Sequence, residues 1–223
     1  MTAFDFNKWD FRLLEVFSEL FALEDLLQLI ENQMKNLQKS ERIRVDEYIR
    51  NAGLSIDESE MQEAMKEYYY RIDFLLPRFF RSSFLISLYG VYESSVTEIS
   101  HLIKKKQSQD ISIDDLRGGF LERANKYYKH ILKFKLYVEK EEWDSVNMLS
   151  DLRNAFAHEN GRMEMLKENK RDVFKDLIKK DLGISTYQGY IICDDRIVAK
   201  IFNVVRKSLE DLVKRYKLWD DQQ

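Results

Sequence analysis

LLEVFSELFALEDLLQLIENQMKNL, residues 13–37, sets Leu13, Val16, Leu20, Leu23, Leu27, Ile30, Met34 and Leu37 at alternating steps of three and four. That spacing is the a/d period of an α-helix and predicts one long helix with a continuous apolar stripe. Phe17 and Phe21 are expected to widen the stripe, which favours burial in a bundle over an isolated coiled coil. The period decides the fold class, because it returns in the segments that follow.

After QKSERIRVDEYIRNAG the chain is expected to turn at Gly53, and SIDE before MQEAM reads as a capping box opening a second helix. Met61, Met65, Tyr68, Ile72 and Leu75 mark its face. Pro77 either opens a new helix in its first turn or kinks a continuous one. Phe80, Phe84, Leu88, Val91, Ser95, Ile99 and Leu102 form the next stripe, and Leu116, Phe120, Ala124, Tyr127 and Ile131 a shorter one after the polar break QSQDISIDD. Trp143, Val146, Leu149, Leu152 and Phe156 predict another helix, stopped at Asn160 and Gly161. ISTYQGYIIC, 184–193, is β-rich around Gln188-Gly189 and reads as a small hairpin. Ile201, Val204, Val205, Leu212 and Tyr216 mark a closing helix. The fold class is therefore mainly α, a bundle of six to eight helices with at most that hairpin.

Composition agrees. Seven Gly and one Pro in 223 residues leave little for turns or irregular sheet, and 44% hydrophobic residues suffice for one sizeable core. No linker or repeat divides the chain, so residues 1–223 are read as a single domain. MTAFDFNKWD lacks a basic n-region and an apolar h-region, and no run approaches the roughly 18 apolar residues of a membrane span. A soluble, cytoplasmic protein without membrane partners is expected. Cys193 is the one cysteine, which excludes an internal disulfide and any multi-cysteine metal site. The net charge of −3, from 36 basic and 39 acidic side chains, advertises no general attraction to polyanions.

The chemistry is concentrated in DLRNAFAHENG, 151–161. On a regular helix Asn154 and His158 lie about 40° apart and Arg153 about 140° from His158. Arg153 and His158 would then meet only if the helix loosened at Glu159, or if a second copy completed the cluster. Arginine and histidine in a last turn are also common simply because they complement the helix dipole. The functional alternative is phosphodiester cleavage in RNA: an imidazole moves the 2′-hydroxyl proton while a guanidinium fork neutralises phosphate charge, with no metal or other cofactor.

RNAFAH at Arg153 to His158 resembles the Arg-Asn-x-x-x-His motif of the HEPN superfamily, helical nucleic-acid-processing domains. The setting is similar too: a long helix with GVYESSVTEI, an amphipathic helix entering RNAFAH, a short β-like insertion and a closing helix. The resemblance covers roughly 78–218, with 1–77 as an N-terminal helical elaboration. It implies a helical homodimer whose two motifs face across a cleft, and metal-independent RNA cleavage leaving a 2′,3′-cyclic phosphate. Arg153 would polarise the phosphate, His158 would be the acid/base, and Asn154 would orient the pair or the RNA. Many such proteins are toxins or phage-defence effectors; others are non-catalytic dimeric modules that bind a partner protein or nucleotide. HEPN toxins silenced by a nucleotidyltransferase antitoxin carry a tyrosine two positions after the histidine. Asn160 stands there instead, which puts that form of regulation in doubt while leaving room for another antitoxin or regulatory protein.

Glu93 is a supporting candidate, an acidic residue placed to hold Arg153 or His158; a solvated helix-flank glutamate is the plain alternative. Lys104, Lys105 and Lys106, with Arg123, Lys126, Lys129 and Lys133, could steer RNA, although charge runs are usually solvated faces. Tyr68, Tyr69 and Tyr70 could stack bases, or pack the core. His101 and His130 lack the spacing of metal ligands.

The resemblance, the dispersed motif and the many aromatic side chains together predict a two-fold dimer. Light scattering at micromolar concentration should give twice the chain mass, and a monomer throughout that range would contradict it.

Overall fold

The computed structural model describes residues 11–52 and 57–222. Among these the elements run α1 (Phe11–Ala52), α2 (Glu58–Tyr68), α3 (Leu76–Lys106), α4 (Phe120–Lys126), α5 (Lys140–Glu159), α6 (Glu168–Lys179), β1 (Ile184–Tyr187), β2 (Tyr190–Cys193) and α7 (Asp195–Asp220). Seven α-helices and a two-stranded hairpin make the fold mainly α. No helix among the described residues is long and apolar enough to cross a membrane.

α3 is the central helix. It packs against α1, α5 and α7, and α5 also packs against α7. Leu13, Val16, Leu20 and Leu23 of α1 bury in the same core as Leu88, Ile99 and Ile103 of α3, Leu149 and Leu152 of α5, and Ile201, Leu209 and Leu212 of α7. The heptad stripe of α1 thus binds helices distant in sequence. It does not widen as the aromatic residues suggested: Phe17 packs against the core, but Phe21 is 61% exposed. Phe80 likewise leaves the α3 stripe and lies 40% exposed.

The start of α2 differs from the capping box expected at Ser55. Asp57 is the N-cap, accepting from the Glu60 N–H at 2.8 Å. Ser55 and the turn expected at Gly53 lie outside the described residues. From Glu58 the chain stays helical to Lys106, passing through a π-helical segment, Tyr69–Leu75, just before Pro77. The Leu76 N–H reaches back five residues to the Arg71 carbonyl. Pro77, with no N–H of its own, follows directly on this shift in hydrogen-bond register, as the second residue of α3 within the continuous helical run. A second π segment, Tyr127–Ile131, follows α4 and is anchored by the Tyr128 hydroxyl donating to the Val96 carbonyl (2.7 Å) and Tyr127 to that of Ile111 (2.7 Å).

The hairpin stands where the sequence placed it, pairing Ile184 with Cys193 and Tyr187 with Tyr190. Gln188 and Gly189 both carry positive φ, 49° and 79°, as a two-residue primed turn requires. α6 was not anticipated. Its Phe174, Leu177 and Ile178 pack on the core, a helical spacing that was present in the sequence.

Cys193, at the end of β2, is buried, and burial pushes its thiol up to about 12, with Asp194 adding to the shift and Arg81 opposing it. An ordinary thiol near 8.5 would react at about pH 8. Ellman's reagent should therefore leave the native protein unmodified at that pH, and should titrate one thiol per chain once guanidinium unfolds it.

Candidate functional site

α5 carries the motif because its two faces have different compositions. Val146, Leu149, Leu152 and Phe156 recur at helical spacing and are buried. Arg153 is half-buried, and Asn154 and His158 are exposed on the other face. Both ends are fixed. At the start, Glu139 and Glu142 form a reciprocal capping box. At the end, Asn160 adopts a left-handed conformation (φ 49°), and the Gly161 N–H closes on the Ala155 carbonyl at 2.9 Å.

The helix therefore does not loosen before His158. Arg153 and His158 nonetheless meet within one chain: Arg153 Nη1 lies 3.4 Å from His158 Nε2 and donates to Asn154 Oδ1 at 2.9 Å. The long arginine side chain spans the angle that separates the two backbone positions. Because guanidinium only donates, a hydrogen bond at this contact requires the neutral tautomer with its proton on Nδ1, leaving Nε2 as acceptor. The Arg153 guanidinium also lies over the Tyr89 ring, 5.5 Å from its centroid. Burial pushes the Tyr89 hydroxyl above its ordinary value, with Ser150 and Arg153 acting in the opposite direction.

Two hollows flank the motif. The larger, about 460 Å³, is bounded by Tyr89 and Glu93 of α3, Phe120 and Arg123 of α4, and Arg153 of α5. The smaller, about 260 Å³, contains His158, Lys167 and Phe174. Asp151, Asn154 and Lys170 border both, and Lys170 Nζ is 2.5 Å from Asp151 Oδ1. Lys170 is a site residue that sequence reasoning missed, since its helix was not recognised and its partner lies 19 positions away.

Glu93 borders the larger hollow with Arg153 but forms no ion pair with it or with His158. Among the basic candidates Arg123 reaches this hollow, its guanidinium tied to Asp114 at 2.9 Å. Lys126 pairs with Glu122 at 2.5 Å, and Lys106 pairs with Asp220. Lys104, Lys105 and Lys106 form the last turn of α3. Lys104 lies eleven residues beyond Glu93, about 16 Å along the axis. Lys129 and Lys133 line a separate hollow of about 430 Å³. Tyr68 is buried and donates to the Gln38 carbonyl, whereas Tyr69 and Tyr70 are exposed beside an apolar groove far along the chain from the motif. His101 lies 3.9 Å from Glu98. No three His, Cys, Asp or Glu side chains among the described residues are grouped to hold a metal ion.

No family model matches the chain, and no curated protein or solved structure resembles it significantly.

Asn160, two positions after His158, has a structural occupation. Its carbonyl and Oδ1 accept from Arg78 Nη1 at 2.9 and 3.2 Å. Arg78 is only 4% exposed and sits 4.4 Å from the ring centroids of both Phe79 and Tyr190. Burial pulls its guanidinium below the ordinary value, an effect that Tyr190 and Tyr70 oppose.

Gly161 completes this end of the helix at φ 70°, and a Cβ there would meet the Phe156 ring at 3.1 Å. Gly161→Ala should destabilise the fold by about 1–2 kcal/mol from the left-handed backbone alone. Urea unfolding should show the midpoint fall with an unchanged slope.

Proposed function

We propose that the protein is a metal-independent endoribonuclease of toxin or phage-defence type, acting as a dimer whose two motifs face across a cleft. The observation that carries this reading is the contact of Arg153 with both His158 and Asn154 on an accessible helix face. It combines a fixed cation, a nitrogen base and an amide within hydrogen-bonding reach of one another. The HEPN resemblance of RNAFAH assigns the same three residues to RNA cleavage.

In the proposed reaction the Arg153 guanidinium turns from His158 to the phosphate, the freed Nε2 lone pair removes the 2′-hydroxyl proton, and the ribose oxygen attacks the adjacent phosphorus. The bond to the 5′ oxygen breaks, and that oxygen takes up a proton, supplied by the facing copy's motif. The products are a 2′,3′-cyclic phosphate and a 5′-hydroxyl. Arg153 neutralises the charge that builds on the phosphoryl oxygens. Asn154 holds the Arg153 guanidinium in orientation through its Oδ1. DNA lacks the attacking hydroxyl and is not a substrate.

Purified protein should cut single-stranded RNA in EDTA and leave cyclic or 3′-phosphate ends. His158→Ala should lower the rate on the order of 10² to 10⁴, and Arg153→Ala should be comparably damaging, with circular dichroism unchanged in both. Cleavage that survives the double substitution would place the activity elsewhere. A wild type that never cuts a broad RNA panel would favour the non-catalytic binding module instead.

A further inference from the structure

The hollow of about 460 Å³ beside the motif has unequal walls. Three carboxylates border it. Glu122 is held by Lys126 and Asp151 by Lys170, each at 2.5 Å. Glu93 is different: it is half-buried one turn beyond Tyr89, and among the described residues its carboxylate has neither an ion pair nor a hydrogen bond. A carboxylate partly withdrawn from water gains most from a ligand that brings its own donors.

The rest of the wall suits a nucleotide. Phe120 offers a half-buried ring, and the Arg153 guanidinium, lying over Tyr89, offers a planar cation; both are surfaces on which a base stacks. Arg153, which has no carboxylate partner among the described residues, supplies positive charge for a phosphate, whereas Arg123 and Lys170 are already paired with Asp114 and Asp151. The base can be chosen from the acceptor. One carboxylate takes two parallel N–H donors, and guanine presents such a pair in N1–H and its N2 amine. Adenine and cytosine offer an amine beside a ring-nitrogen acceptor, which would face the carboxylate with a lone pair. Uracil offers one N–H between two carbonyls.

We propose that this hollow is a guanine-nucleotide subsite, in which Glu93 accepts from N1–H and the N2 amine while Arg153 holds the adjoining phosphate. The proposal rests on the reading of Arg153 and His158 as an RNA-cleaving site, and it adds that cleavage falls next to guanosine. Glu93 is then a specificity residue that touches the base.

The test is calorimetry on full-length His158→Ala protein with guanosine, inosine, adenosine and uridine 5′-monophosphates. Guanosine monophosphate should bind roughly ten- to a hundredfold more tightly than the adenosine and uridine compounds, with inosine, which lacks the N2 amine, in between. Glu93→Gln should erase the margin. Gly119, which borders the hollow, has an ordinary φ of −66°, and a Cβ there would meet no atom within 4 Å. Gly119→Leu should therefore obstruct the hollow and weaken guanosine monophosphate binding without straining the backbone. Equal affinity for all four nucleotides, or a guanine preference that persists in Glu93→Gln, overturns the proposal. Guanine-selective binding by a protein that cuts no RNA keeps the subsite and removes the nuclease reading. RNA cutting with no bias toward guanosine keeps the nuclease and removes the subsite.

Discussion

The hydrogen bond from the buried Arg78 guanidinium to the Asn160 carbonyl joins the parts of the molecule that must agree for the motif to be held. A charge withdrawn from water is costly unless its donors are met, and no carboxylate among the described residues lies within ion-pairing distance of Arg78. The negative end of the α5 dipole and the Asn160 side chain take up Nη1, and the Phe79 and Tyr190 ring faces cover the guanidinium plane, while Nε stays buried with no hydrogen-bond partner. One side chain thereby ties the start of α3 to the end of α5 and to Tyr190 of the hairpin. The hairpin holds the same point from the other side, where the Ile191 N–H donates to the Gly161 carbonyl at 2.8 Å. His158 lies two residues before this junction, so its backbone inherits the constraint.

Periodicity made the scaffold legible. The stripes of α1, α3, α5 and α7 could be read because each buries one face against several helices, and burial is what writes a 3.6-residue period into a sequence. The hairpin was legible through Gln188-Gly189, a turn chemistry with few alternatives. Phe21 and Phe80 were misplaced, since hydrophobicity near a stripe does not fix the angle at which a side chain leaves the helix. The π segment before Pro77 was hidden for another reason: a shift from four-residue to five-residue hydrogen bonding leaves composition unchanged. α6 carried a readable spacing in Phe174, Leu177 and Ile178, but its short length among lysines and acids muted the signal.

For the candidate site, the residue types were legible and the assembly was not. Arg153, Asn154 and His158 announce themselves by their spacing, yet counting angles between backbone positions separated Arg153 from His158. Side-chain reach closes that gap in the structure, with the helix intact through Glu159. Lys170 escaped because its partner, Asp151, belongs to a different helix, and pairing between helices follows from packing rather than local pattern. Arg78 escaped because an arginine after a proline in the first turn of a helix looks like a surface residue until its burial is known.

The arrangement separates what folds α5 from what the site uses. Leu149, Leu152, Ala155 and Phe156 face the core, while Asn154, Ala157 and His158 face outward, so the chemistry-bearing side chains add little to the packing that holds them. Arg153 alone crosses between these regimes, half-buried against Tyr89 and extended toward His158. Its guanidinium is held by a ring face, an amide oxygen and an imidazole nitrogen, with no carboxylate paired to it among the described residues. An arginine so placed keeps its full charge for an incoming anion, because no carboxylate has already neutralised it. Glu93 borders the same hollow yet is not paired with Arg153, so the cation beside the imidazole nitrogen at 3.4 Å stays open to that anion.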